Sequence, residues 1–386
     1  MPDDTMAAMS VHEATPRAAY VHVPFCRHRC GYCDFTLVAG RDDLIESYLV
    51  ALEREVSSLE TPRDVDTLFL GGGTPTHPPP AQLARLLELI RRCFVLAPGY
   101  EFSVEANPND LTDDKIGLLA GVGVNRVSLG VQSFDPDVLR MLERDHTPAE
   151  IADVVPRLGK RIANVSLDLI FGVPGQTLAS WRDTLRLAIE LEPQHISTYG
   201  LTYEKGTAFW TRRAKSALRP ADEDLEYEMY ATAMDDLAAA GFEQYELSNF
   251  ARPGFACRHN QTYWSGQPYF GFGPGAARYI NGRRETNHRS VTTWIHRVLS
   301  GESSVGFTEE LSPEDRAREA IVIGVRQSAG VDRREFRDRT GFDLDALAGP
   351  AIVKHVANGL LEDDGGRIRL TRAGRFVADG VIVDFL

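Results

Sequence analysis

Three cysteines, Cys26, Cys30 and Cys33, fall close together near the start of the chain, in the run Tyr20-Val-His-Val-Pro-Phe-Cys-Arg-His-Arg-Cys-Gly-Tyr-Cys-Asp-Phe35. Spaced as C-x3-C-x2-C, three thiolates from one short loop can each ligate a different iron of a [4Fe-4S] cube, leaving the fourth iron without a protein ligand. An iron with an open position can bind and reduce a small molecule, whereas a cluster that only carries electrons normally takes four cysteines. A structural zinc site fits less well: it closes four ligands in two knuckles, and no second Cys/His knuckle lies near. A disulfide framework fits worst. Five cysteines in 386 residues is an odd number, with no signal peptide ahead of them, which describes a reducing cytoplasmic setting. Cys93, in an apolar helical pattern, and Cys257, in a polar stretch, are isolated and read as small buried residues without a role.

Further polar residues fall where a ligand would meet a parallel sheet. The run Leu70-Gly-Gly-Gly-Thr-Pro-Thr76 ends a predicted strand, and glycines there let main-chain groups approach a ligand without Cβ interference. Glu105, Gln132 and Asp168 lie on or just past later strands. Polar groups at the inner ends of parallel strands are costly to bury unless partnered, so three in register point to a polar ligand. His22 reads as a buried hydrogen-bonding residue on its strand, and His28, inside the cysteine loop, as solvent-facing.

The elements that must position these groups alternate. Short apolar runs at residues 19–23, 67–70, 101–105, 126–129, 165–170 and 196–199 are separated by helical patterns, the signature of repeated βα units around a parallel sheet. Leu44, Ile45, Tyr48, Leu49, Leu52 and Val56 recur at helical spacing, and Thr147-Pro-Ala-Glu150 is a capping box with proline in the first helical position. Six strands predict an incomplete barrel with its functional groups at the C-terminal strand ends. An acidic helix over residues 221–239 covers one side, and an irregular stretch rich in glycine and aromatics spans 243–279. Beyond residue 290, helical patterns at 314–327, 333–339 and 344–358 precede a hairpin at 360–370 around Asp364-Gly-Gly. Three helices and a hairpin predict a winged-helix-like α+β domain. Residues 1–17 read as a disordered tail, 18–290 as the barrel with its extension and 291–386 as the C-terminal domain.

The three cysteines are similar to those of the radical S-adenosylmethionine enzymes, in which the open iron is chelated by the amino and carboxylate groups of S-adenosylmethionine. The runs Tyr20-Val-His-Val-Pro-Phe-Cys26, Leu70–Thr76, Val104-Glu-Ala-Asn-Pro108, Leu129-Gly-Val-Gln-Ser-Phe134 and His259-Asn-Gln-Thr-Tyr-Trp264 resemble the coproporphyrinogen dehydrogenase and HemW haem-chaperone group, from about Ala19 onward. The resemblance implies that Gly72, Gly73 and Thr74 contact the methionine part of S-adenosylmethionine and that Glu105, Gln132 and Asp168 line the same cofactor. It also implies that Arg144 reaches the cofactor's carboxylate or ribose side, with Tyr20 and Tyr32 as further contacts. The dehydrogenases carry a fourth cysteine two residues after the third, where this chain has Phe35, and the H-N-x-x-Y-W word marks the chaperone branch. In that branch His259, beside aromatic faces, is the expected axial ligand of haem iron. Ala277 stands where family members usually have histidine.

Composition excludes other classes. A net charge of −13 argues against a partner bound through phosphate neutralisation, and residues 301–386 hold twelve Lys and Arg against sixteen Asp and Glu, the wrong sign for DNA reading. That weakens a redox-sensing regulator. No apolar run approaches the roughly 20 residues that span a bilayer, which leaves only peripheral membrane contact. The sequence thus predicts a cytoplasmic haem chaperone that binds a [4Fe-4S] cluster, S-adenosylmethionine and haem, and delivers haem to acceptors such as respiratory haem proteins. The alternative is an oxygen-independent coproporphyrinogen III dehydrogenase acting through a 5′-deoxyadenosyl radical.

Overall fold

The computed structural model describes residues 15–386. Residues 1–14 of the expected tail lie outside the described residues, and Arg17 at its end pairs with Asp66 at 2.7 Å. The strands β1 (Ala18–Val23), β2 (Arg63–Gly72), β3 (Phe94–Ala106), β4 (Arg126–Gln132), β5 (Asn164–Phe171) and β6 (His195–Gly200) lie side by side in chain order, each parallel to the next. Helices α1 (Ile45–Val56), α2 (Pro80–Cys93), α3 (Asp113–Gly121), α4 (Pro148–Gly159) and α5 (Leu178–Glu190) occupy the crossovers. The capping box forms as predicted: Glu150 N donates to Thr147 Oγ1 and Thr147 N to Glu150 Oε2, opening α4 at Pro148.

The sheet does not close. Past β6 it ends in two short antiparallel strands, β8 (Asn249–Ala251) and then β7 (Glu243–Gln244). Its other edge is β9 (Phe270–Phe272), which runs parallel to β1 and makes a seventh parallel strand where the sequence predicted six. The fold is therefore the expected α/β incomplete barrel, with one strand more.

Strand alternation divides the sheet into two unlike faces. Val21, Leu68, Leu70, Phe102, Val104, Val127, Leu129 and Ile196 are fully buried beneath the helices. The residues between them, including Tyr20, His22, Thr67, Glu101, Ser103, Glu105, Ser128 and Asp168, form the inner face. Parallel sheets are usually apolar on both faces, so a polar inner face has to be satisfied by something inside.

Helix α6 (Glu223–Ala239) lies against α5, where Trp181 Nε1 donates to Met229 O at 2.8 Å. The stretch predicted to be irregular contains α7 (Arg258–Trp264), β9 and the start of a three-stranded antiparallel sheet, Ala277–Ile280, Arg283–Asn287 and Val305–Glu310. Helix α8 (Val291–Leu299) returns from that sheet to α1, with Trp294 packed on Tyr48 at 5.7 Å. Glu55 of α1 joins these parts: it accepts from Gly273 N at 2.7 Å, Asn287 Nδ2 at 2.8 Å and Trp294 Nε1 at 3.3 Å.

The C-terminal unit has its own core. Helices α9 (Pro313–Arg326), α10 (Arg333–Thr340) and α11 (Leu344–Ala357) enclose Ile321, Val325, Phe336, Ile352 and Ile368. The hairpin Leu361–Asp363 and Arg367–Leu370 forms the predicted wing, with Val331–Asp332 as a third strand.

Candidate functional site

The cysteine loop leaves β1 and lies against the glycine turn that ends β2. Gly73 N donates to Val23 O and Thr74 N to Phe25 O, each at 2.8 Å. A Cβ on Gly73 would stand 2.8 Å from Phe25 O, and one on Gly72, whose φ is +114°, would stand 2.4 Å from the His22 ring. Glycine at both positions is what lets the two segments meet.

Around the thiols the polar groups form one network. Thr74 Oγ1 lies 3.3 Å from Cys26 Sγ and accepts from Asn107 Nδ2 at 2.9 Å. Asn107 Oδ1 accepts in turn from Arg144 Nη2, which also donates to Gly130 O at 2.9 Å, while Arg144 Nη1 reaches Cys30 Sγ at 3.7 Å. Burial pushes the Cys26 thiol up to about 11 against the opposing Thr74 hydrogen bond, and burial also raises Cys33. Thiols held neutral in this way ionise when metal replaces the proton. Among the described residues no three His, Cys, Asp or Glu side chains converge closely enough to hold a single metal ion. A cube asks for something else, thiolates spread over three separate irons. Arg144 Nε and Ser103 Oγ are buried without a partner, as expected where a polar group is to be bound.

The inner face is closed in its lower half by the chain itself. Helix α7 enters there: Glu101 accepts from Arg258 N and His259 N at 3.0 Å each, and His195 Nε2 meets Tyr245 OH at 2.7 Å. No such filling reaches the upper half. A cavity of about 340 Å³ opens there, lined by Tyr20, His22, Phe35, Gly72, Glu105 and Arg289 among others. Glu105 Oε2 accepts from Gly72 N at 2.9 Å, and burial pushes the carboxyl up to about 8, with nearby Asp168 adding to the rise. Asp168 is likewise raised by burial, against hydrogen bonds from Ser197 and Ser128, the latter at 2.9 Å. Tyr20 OH donates to His22 Nδ1 at 2.9 Å, and His22 Nε2 donates to Thr36 O at 2.6 Å.

The predicted residues thus fall into three places. Tyr20, Gly72 and Glu105 line the cavity, with Asp168 beside them on the inner face. Gly73, Thr74 and Arg144 stand behind it against the cysteine loop, as does Tyr32, whose ring packs edge-on to Phe209 at 6.1 Å. Gln132 sits at an irregularity in the pairing of β4 with β5, at φ +65°, and its Nε2 faces the bare side of Gly130 together with Arg144 and Asn107. Asn107 is the member sequence reasoning missed, although it lies inside the Val104–Pro108 word.

His259 differs from expectation. It is 1 % exposed and stacked on Phe69, with Nδ1 at 2.9 Å from Thr67 Oγ1 and Nε2 at 2.8 Å from Tyr263 OH. Both ring nitrogens are engaged, and burial lowers the imidazole to about 3. A haem iron would find no free nitrogen here, so the histidine anchors its helix instead of facing a ligand. Cys257 is buried and donates to Glu101 Oε1 at 3.5 Å, and His28 is 54 % exposed.

A partial parallel barrel with a three-cysteine loop and a polar cavity at its strand ends defines a radical S-adenosylmethionine protein. The sequence matches the Radical SAM superfamily over residues 20–188 and the HemN C-terminal domain over residues 311–377. Coproporphyrinogen III oxidase (HemN) from Escherichia coli, a radical SAM enzyme, has the same fold, with a TM-score of 0.85 at 24 % identity over 96 % of this chain and 90 % of that one. Among whole sequences, Heme chaperone HemW of Bacillus subtilis is 38 % identical over 96 % of this chain and 99 % of its own length. Heme chaperone HemW of Escherichia coli is 34 % identical, over 96 % and 98 %. The mitochondrial Radical S-adenosyl methionine domain-containing protein 1 of Bos taurus is 31 % identical over the whole chain and 90 % of its own length. The chain belongs to the HemW heme chaperone family. Among the described residues no helix is long and apolar enough to cross a membrane.

Proposed function

We propose that this chain is a haem chaperone of the cytoplasm. It carries a [4Fe-4S] cluster on Cys26, Cys30 and Cys33, binds S-adenosylmethionine beside it, and passes haem to acceptors such as respiratory haem proteins. The observation that carries this reading is the cavity of about 340 Å³ next to the cysteine loop, which has the size of a single small-molecule site. One small ligand of the size of S-adenosylmethionine fits there. Phe35, where the dehydrogenases carry a fourth cysteine, stands 56 % exposed on the rim.

A bound cluster supplies electrons and one open iron position. The rest falls to the chain's own groups. Glu105 and Asp168 offer carboxylates to the amino and sulfonium charges of the ligand, and the arrival of that charge favours the ionised form of Glu105. Arg144 stands beside the Cys30 sulfur and offsets the negative charge of the thiolates. Asn107 and Thr74 hold that arginine in line with Cys26.

We also divide the chain near residue 310 instead of 290, since α8 packs on α1 and Val305–Glu310 pairs with Arg283–Asn287. For the function, the test is to incubate the anaerobically reconstituted protein with coproporphyrinogen III and, separately, with haem. A haem spectrum without decarboxylated product is expected. Decarboxylated product would replace this reading with the oxygen-independent dehydrogenase.

A further inference from the structure

The surface over the cysteine loop has the opposite sign to the chain as a whole. Residues 204–219, soon after β6, hold Lys205, Arg212, Arg213, Lys215 and Arg219 against the single acid Glu204, in a chain of net charge −13. All five basic residues are exposed, and Trp210 among them is 39 % exposed. A short helix, Ala208–Ala214, straps this segment onto the loop. Phe209 N donates to Gly31 O at 2.8 Å, and the Phe209 ring covers Gly31 so closely that a Cβ there would stand 2.5 Å from it.

Strap and loop meet at one residue. Glu143 Oε1 pairs with Arg212 at 2.8 Å and Oε2 with His28 at 3.6 Å, while the Glu143 carbonyl lies 3.7 Å from Cys30 Sγ. Arg27 pairs with Asp145 at 3.7 Å. Both acids are thus matched by basic neighbours, and the other cations of the strap set the sign of the surface. Cys26 is buried, whereas Cys30 and Cys33 are half-buried, so the patch stands one residue away from a thiol that is itself near the surface. None of these basic residues lines the cavity of about 340 Å³, so a partner seated on them does not take the place of the small ligand.

We propose that the strap and the outer face of the cysteine loop form the docking surface on which an acidic one-electron carrier protein reduces the cluster. The proposal rests on the reading of Cys26, Cys30 and Cys33 as cluster ligands and says where the electron enters. One electron leaves the carrier's centre, which is oxidised by one, and the cluster is reduced by one; no bond or proton moves. Opposite charge steers such a partner to the patch, and encounters between redox proteins need little buried area. An exposed tryptophan among arginines is the composition that protein interfaces favour at their centres. An anionic bilayer offers the same charge. Among the described residues, however, Trp210 is the only large apolar side chain that the strap exposes, too little apolar surface to seat a helix in lipid.

The test uses the full-length, cluster-loaded protein and a reduced acidic [2Fe-2S] ferredoxin, with cluster reduction followed by stopped-flow absorption. Dithionite, which needs no docking, is the second reductant. Lys205→Glu combined with Lys215→Glu should slow reduction by ferredoxin on the order of ten-fold or more and flatten its dependence on ionic strength. Reduction by dithionite, iron content and melting temperature should stay at wild-type values. Lys160→Glu combined with Arg161→Glu makes the same change of charge at exposed positions ahead of β5, at the other end of the strands, and should leave ferredoxin reduction within about two-fold of wild type. Trp210→Ala should raise the ferredoxin concentration that gives half the maximal rate without altering the salt dependence. A wild-type rate and salt dependence with ferredoxin in the Lys205/Lys215 variant would overturn the surface. Loss of binding to phosphatidylserine vesicles in that variant, with ferredoxin reduction unchanged, would overturn it in favour of a bilayer contact. Wild type that dithionite reduces and ferredoxin does not would also overturn the surface but leave the cluster reading standing, and wild type that forms no cluster would overturn both.

Discussion

Glu105 holds a proton at neutral pH that an exposed glutamate would have lost. Burial raises its carboxyl from 4.5 to about 8, against the single hydrogen bond from Gly72 N. In the unfolded chain the same group ionises above about 4.5. The folded state therefore binds more protons than the unfolded state between these values, and stability falls as pH rises through the window. At about 1.4 kcal/mol for each pH unit, the loss reaches about 5 kcal/mol by pH 8, as an upper bound. Glu105→Gln keeps the shape and the acceptor for Gly72 N but has no proton to lose. Urea unfolding of the two proteins should give similar stability near pH 4.5 and a growing advantage for the variant toward pH 8. The same proton reports the ligand. A cationic S-adenosylmethionine in the cavity favours the carboxylate, so binding at pH 6.5 should release close to one proton. Calorimetry in buffers of different ionisation enthalpy would show this as a buffer-dependent heat in wild type and none in the variant. The variant should also bind about 1 to 3 kcal/mol more weakly, having lost a charge-assisted contact. Parallel stability profiles for both proteins, with buffer-independent heats, would refute the account of this carboxyl.

Replacing Cys26, Cys30 or Cys33 by serine should abolish the [4Fe-4S] absorption of the reconstituted protein, and any such variant that retains four irons would remove that residue from the ligand set. Gly73→Ala sets a Cβ against Phe25 O, so it should cost about 1 to 3 kcal/mol in thermal unfolding and lower iron content. Gly159→Ala, with nothing near its Cβ, should do neither. Burial lowers His259 to about 3 and His22 and His146 to about 4, so stability is full above the unfolded value near 6.5 and is lost as pH falls toward the folded values. Each should remove about 2 kcal/mol by pH 5. Nuclear magnetic resonance should find all three rings neutral at that pH, and a ring titrating near 6.5 would contradict its burial.

The βα order was readable because it is local. Alternating apolar residues on each strand, helical spacing in α1 and the capping box of α4 all lie within short windows of sequence. Strand β9 is only three residues long and owes its place to β1, some 250 positions away, so nothing near it announces a strand. The cysteines and Glu105 were visible as types in a pattern. His259 was visible too, but its meaning depended on Thr67, 192 positions distant, which turns an apparent metal ligand into an anchor. Asn107 escaped because an asparagine beside a proline reads as a turn, and only the fold brings it between Thr74 and Arg144.

The Glu55 carboxylate has a consequence for inheritance. Its partners Gly273, Asn287 and Trp294 lie 218, 232 and 239 positions downstream. A single replacement at Glu55 strands Gly273 N and Trp294 Nε1 and leaves Asn287 Nδ2 with Gly273 O alone, and a replacement at Asn287 or Trp294 leaves the acid short of a partner. Selection therefore acts on these positions jointly, and their substitution effects depend on one another. A change at Glu55 that keeps stability calls for matching changes at its partners, so the junction between the first βα unit and the extension behaves as a single coupled unit.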